Sequence, residues 1–148
     1  MMEEFNELEK VKELFNNVNG NGSENNYFVA YKDMQKSSGM VSGMEYPYDG
    51  LLINMNENGI GFFYLKQSGL VLTQNLAKMT LDKDSYTFIS NDEIEKVTVK
   101  NFALLNSKVK RISIDTKDKS YKLFAKLNEK DIPYQNSNFT KFIEKYSK

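Results

Sequence analysis

Carboxylates, lysines, tyrosines and a single arginine, Arg111, are the ionisable side chains from which this sequence can build a site; it has no histidine and no cysteine. The missing imidazole removes the commonest general base near neutral pH, the Ser-His and Cys-His nucleophile pairs and most zinc sites. The missing thiol removes thiolate nucleophiles, redox pairs and iron–sulfur ligands. What remains are fragments of motifs. Asn54, Asn56, Asn58 and Gly59 echo the start of a calcium loop, but the first position lacks its aspartate and the twelfth falls on Leu65, where a bidentate glutamate belongs. Ser107 and Lys110 have the spacing of a β-lactamase-type serine–lysine pair, yet that pair needs a helical turn and this stretch leads into a strand. Gly59-Ile60-Gly61 opens like a dinucleotide fingerprint without its third glycine. Asp82 with Asp84, or Asp92 with Glu93 and Glu95, could pair as acid and base. Each of those clusters sits at a turn between strands, where solvated acids are expected. The sequence thus predicts no catalytic residue, no metal site and no cofactor.

Two surfaces remain as candidates for binding. Met40, Met44, Tyr46 and Tyr48 lie among small residues in a long loop over 35–50. Flexible methionine and amphipathic tyrosine suit an adaptable binding surface, although the same side chains could fold back and plug an open barrel end. Lys108, Lys110, Arg111, Lys117, Lys119 and Lys122 form the second candidate, a basic face for an anionic partner. It belongs to a wider asymmetry. Residues 1–60 carry ten acids and four lysines, a net charge of −6, whereas residues 101–148 carry eleven bases and five acids, a net charge of +6. The two ends of the chain therefore either lie near each other or leave a basic surface open. Nineteen of the twenty cations are lysine, and lysine lacks the planar fork that reads guanine edges, which argues against sequence-specific nucleic-acid recognition.

The elements that must position these groups follow from periodicity. Phe5, Leu8, Val11, Phe15 and Val18 recur at helical spacing, with Glu7–Lys10 and Glu9–Lys12 on the other side, and the stripe stops at Asn19-Gly20. From Tyr27 to Tyr31 the period becomes two. Leu51–Met55 and Ile60–Lys66 flank Asn56-Glu57-Asn58-Gly59, a strong hairpin signal. That hairpin puts Leu51, Ile53, Met55, Ile60, Phe62 and Tyr64 on one core face. Its other face, with Leu52, Phe63 and Leu65, is too apolar for water, so the N-terminal helix is expected to cover it. Further strands are predicted near 70–74, 77–81, 86–90, 94–99, 109–114 and 121–126. A final helix from Ser137 to Tyr146 presents Phe139, Phe142, Ile143 and Tyr146. No stretch is apolar for long enough to span a bilayer, and the acidic start has no signal-peptide core. With no cysteine either, a cytoplasmic location is expected.

Ile94, Val97 and Val99 follow an acid-rich turn in an Ile-x-x-Val step; Ile112 and Ile114, a turn at Lys117 to Lys119, Tyr121, Leu123 and the helix from Ser137 come after them. In this pattern the chain from Asp49 onward resembles bacterial pleckstrin-homology-like domains and, more loosely, the related GRAM domains. The resemblance implies a mainly β, α+β fold: a bent antiparallel sheet or partly open barrel closed by the C-terminal helix, here spanning 27–148, with residues 1–20 as an additional helix packed on it. It also implies binding or scaffolding. Phosphoinositide-binding members concentrate basic residues between their first two strands. This chain has only Lys32 and Lys36 there, beside Asp33, Glu45 and Asp49, so no head-group residue carries over. The first expectation is a non-catalytic interaction module that binds a protein partner or itself. A second is a peripheral binder of anionic lipid through the basic face, against which stands the lack of an apolar wedge near those lysines. A third is a lipocalin-like carrier of a small apolar ligand.

Overall fold

The computed structural model describes residues 2–33, 48–68 and 74–146. Among them are ten elements of regular structure beyond two single 3-10 turns. Helix α1 (Leu8–Asn16) is followed by strands β1 (Asn26–Lys32), β2 (Gly50–Asn56), β3 (Gly59–Gln67), β4 (Met79–Leu81), β5 (Thr87–Ser90), β6 (Ile94–Ala103), β7 (Asn106–Thr116) and β8 (Ser120–Lys126). Helix α2 (Gln135–Tyr146) ends the fold. The strands form one antiparallel sheet in the order β4-β3-β2-β1-β8-β7-β6, with β5 also paired to β3; the sheet is not closed. It is strongly curled. The rings of Phe62 on β3 and Tyr121 on β8 stand 5.2 Å apart, although three strand steps would separate them by about 14 Å in a flat sheet.

The curl encloses an inner core of Phe28, Leu51, Ile53, Met55, Ile60, Phe62, Ile112, Ile114 and Leu123. Helix α2 caps it with Phe139 and Phe142, whose rings both lie 4.9 Å from Phe28. One buried amide anchors this helix. Strands β1 and β8 pair only at Tyr31↔Phe124 and Lys32↔Leu123. Beyond that point Gln135 takes the place of a strand: its Oε1 accepts from the Val29 N–H, and its Nε2 donates to the carbonyls of Val29 and Lys126. Backbone groups that the splayed strands leave open are thereby satisfied.

The other face of β1–β3 carries a second core. Phe5, Val11 and Phe15 from the N-terminal segment cover Tyr27, Val29, Leu52, Phe63 and Leu65, as the apolar outer face of the hairpin requires. Phe5 lies before α1, in a 3-10 turn closed by its N–H on the Met2 carbonyl, and the Tyr134 hydroxyl donates to the Phe5 carbonyl. Helix α1 stops where Asn19 takes a φ of 55° and the Gly20 N–H returns to the Phe15 carbonyl. The β2–β3 register is Met55↔Ile60 and Asn56↔Gly59, which leaves Glu57 and Asn58 as the turn. Gly59 itself has a φ of 150° and lies against the Ile89 carbonyl of β5, so a Cβ at this position would strike that oxygen.

Packing placed α1, and charge did not. The two ends of the chain meet at the Tyr134–Phe5 hydrogen bond, but not through charge: α1 lies on β1–β3, and no ion pair joins it to residues 101–148 among the described residues. Its lysines pair instead within the helix, Lys10 with Glu7 and Lys12 with Glu9. Lys96, Lys100 and Lys108 of β6 and β7 are exposed. The strand expected at 70–74 falls outside the described residues except for Gln74.

Candidate functional site

Strands β6 and β7 form a long hairpin that begins inside the fold and ends outside it. At its base Ile112 and Ile114 are buried in the inner core, and Val97 and Val99 pack against them. The outer side is fixed by a ladder of rings. Phe102 lies 5.3 Å from Phe124, which stacks on Tyr31 at 5.0 Å. The Arg111 guanidinium sits 4.4 Å from the Phe102 centroid, and its Nε donates to Oδ2 of Asp33 at 2.6 Å. Asp33 is buried, so the pair ties the hairpin to the end of β1 from a site that water reaches poorly. Lys126 lies over Tyr31, and the Tyr31 hydroxyl donates to Glu129. Burial raises the Glu129 carboxyl above its ordinary range, with the tyrosine hydrogen bond opposing.

Beyond the ladder the hairpin, from Ala103 to Lys108, is exposed among the described residues. Ala103 pairs with Asn106 across a two-residue turn, Leu104-Leu105, and these leucines are 92 % and 97 % exposed. Turn chemistry does not call for them. Two-residue hairpin turns favour asparagine, aspartate and glycine, which tolerate positive φ, and neither leucine takes a positive φ. A register shift between Asn101 and Ala103 accommodates them. Below the tip stand Lys100, Lys108 and Lys110, the last donating to Asn101 at 2.7 Å. From Lys96 to Ile114 there are five cations and no acid. The arrangement is a rigid stem, an apolar point and a collar of ammonium groups.

Strand alternation distributes the six basic residues expected to share a face. Lys108 and Lys110 fall on the same side of β7 as Ile112, near the tip, and Arg111 projects to the opposite side. Lys122 is engaged with Ser113 at 2.6 Å and Asp115 at 3.7 Å. Arg111 and Lys122 line a shallow outer groove of about 270 Å³ with Thr98, Lys100, Ser113 and Asp115. Hydrogen bonding, chiefly from Ser120, holds the Asp115 carboxyl below its ordinary value. Lys117 and Lys119 occupy the β7–β8 turn, roughly 35 Å from the tip along an eleven-residue strand. Only Lys108 and Lys110 of the six reach the apolar point. Lys100, which completes the collar, and the leucines themselves were not among the residues expected to act. Their signal in the sequence was an apolar pair inside an acid-free, lysine-rich stretch.

Tyr48, the one described member of the loop candidate, is buried and stacks on Tyr64 at 5.2 Å in the inner core; Met40, Met44 and Tyr46 lie outside the described residues. Several residues of the motif fragments have structural work. Asn54 and Asn56 donate to the Gly20 carbonyl and to Asn25. Glu57 accepts from the Ser23 and Glu24 amides, which lower its pKa to about 2. Asp82 caps its own turn and pairs with Lys66, and Glu93 accepts from Ser90. Family models, curated proteins and solved structures give no match to this chain.

Proposed function

We propose that this chain is a non-catalytic interaction module that docks on anionic lipid surfaces through the tip of the β6–β7 hairpin. The observation that carries this reading is the near-complete exposure of Leu104 and Leu105 at the tip. A convex apolar point suits a bilayer, which yields around it, whereas a protein partner must supply a matching pocket. Burying a leucine contributes about 1.5–3 kcal/mol, and a lysine near an anionic surface about 1 kcal/mol. Two leucines and three lysines thus give roughly 6–9 kcal/mol before orientational costs, appropriate to reversible, salt-sensitive attachment. The objection that no apolar wedge lies near the lysines is met by Leu104 and Leu105, which sit between Lys100 and Lys108 in the hairpin. No helix among the described residues is long and apolar enough to cross a membrane. The uncatalytic character rests on the absent histidine and cysteine and on the structural duties of Asp82 and Glu93.

The pleckstrin-homology-like resemblance belongs to the same proposal. A curled, open antiparallel sheet capped by a C-terminal helix is the architecture it implies. The lipid contact proposed here lies on a different hairpin from the loop between the first strands. Co-flotation with vesicles containing 30 % phosphatidylserine tests the reading. Binding should fall when Leu104→Ser and Leu105→Ser are combined, and should fall again as salt rises. Equal flotation of the parent chain with purely zwitterionic vesicles, or of the double variant with anionic ones, would refute it.

A further inference from the structure

Strand β6 is the last in the sheet order, so one of its two edges pairs with β7 and the other is open among the described residues. The opposite side of the sheet is defended. Strands β4 and β5 have three and four residues, and short edge strands are a standard protection. On β4 the Leu81 N–H is already taken by the Glu4 carboxylate at 3.1 Å. Strand β6 has ten residues, and among the described residues no strand pairs with its outer edge, although α2 packs nearby. Register shifts at Ile94/Lys96 and Asn101/Ala103 bound a regular stretch of six residues, Lys96 to Asn101.

The two faces along that stretch differ. Val97 and Val99 pack against the inner core but are only half-buried, as are Ile143 and Tyr146 of α2, which pack against the same core. Lys96, Thr98 and Lys100 point outward, and neither lysine has an ion-pair or hydrogen-bond partner among the described residues. An incoming strand would place alternate side chains against the valines and the α2 flank, and the intervening ones beside the two ammonium groups.

We infer that the open edge of β6 accepts an extended segment of a partner protein, about six residues long, in which acidic and β-branched apolar residues alternate. This site shares Lys100 with the collar below the tip but needs neither Leu104 nor Leu105, so it does not rest on the lipid reading. The lysines that discourage indiscriminate edge pairing also choose the partner. They disfavour a second copy of this chain: antiparallel self-pairing centred on Thr98 sets Lys96 of each copy against Lys100 of the other, and like charges directly opposite are destabilising.

A labelled eight-residue peptide alternating glutamate with valine is the probe, with a lysine–valine peptide and a block-ordered glutamate–valine peptide as controls. Fluorescence anisotropy should show micromolar binding of the alternating acidic peptide to the full chain, at least tenfold tighter than either control. Combining Lys96→Glu with Lys100→Glu should reverse the preference towards the lysine–valine peptide. Hydrogen exchange should show new protection on β6. The combined Leu104→Ser and Leu105→Ser variant should bind the peptide as the parent does, so failure of the lipid reading leaves this result standing. Equal binding of all three peptides, an unreversed preference in the charge-swapped variant, or protection confined to β4, β5 or the hairpin tip would overturn the inference.

Discussion

Replacing Phe15 with alanine tests how the N-terminal helix is held. Phe15 is fully buried, and its ring lies 5.0 Å from Phe63, 5.5 Å from Tyr27 and 6.0 Å from Tyr86. It is thus the point at which α1 meets β1, β3 and the segment just before β5. Phe→Ala in a core costs about 3–5 kcal/mol through lost burial and the cavity left behind. Because the helix backbone can settle only until Val11 and the Gly20 turn stop it, a value near 4 kcal/mol is expected. A domain of this length has a total stability of roughly 7–22 kcal/mol, so the variant should still fold. With a urea slope near 2 kcal/mol per molar, the midpoint should fall by about 2 M. Far-UV circular dichroism in urea reads this directly, with tyrosine fluorescence as a second probe of the same transition. A fall of less than about 0.5 M at unchanged slope would show that α1 contributes little cover, and would refute the reasoning.

Two other expectations follow from the cores. Phe142→Ala, which removes a ring buried against Phe28 and Phe139, should cost about 3 kcal/mol in the same urea assay; a loss below about 1 kcal/mol would mean that α2 does not close the inner core. Alkaline pH should unfold the chain early: burial pushes Tyr27 up to about 12 and raises Tyr31 and Tyr134 further. A folded-state pKa raised above the ordinary 10 gives stability that is complete below pH 10 and is lost as pH rises above it. The urea midpoint should therefore be lower at pH 11 than at pH 9, and equal midpoints would contradict the burial of these hydroxyls.

Much of the fold was readable because burial leaves a period in the sequence. The β2–β3 hairpin with its two apolar faces and the helix carrying Phe139 and Phe142 match the structure, and the stripe from Phe5 to Val18 is buried as read, although the helix spans only Leu8–Asn16 and Phe5 lies in a turn before it. The hairpin that matters most was read short. Period-two alternation halts near Val99 because a register shift at Asn101/Ala103 breaks it, so a strand expected over 94–99 extends through Ala103. Its partner, expected over 109–114, begins at Asn106. What looked like a nine-residue loop is mostly strand, which is why Leu104 and Leu105 were not recognised as a tip. The basic residues were counted correctly, but a count contains no geometry: alternation and an eleven-residue strand separate Lys108 from Arg111 and from Lys117. The charge split likewise does not encode docking, because apolar area outweighs surface charge in placing a helix.

Insertion of the hairpin tip is the claim on which the functional account turns, and the chain has no tryptophan to obscure its measurement. Leu105→Trp places a lone indole at a position that is 97 % exposed. In buffer its emission should be that of a fully hydrated ring. On vesicles containing 30 % phosphatidylserine the emission should shift to the blue and be quenched by lipids brominated near the head of the acyl chain. Both effects should fade at high salt and with purely zwitterionic vesicles. An indole that stays hydrated and unquenched on anionic vesicles that bind the protein would contradict the account.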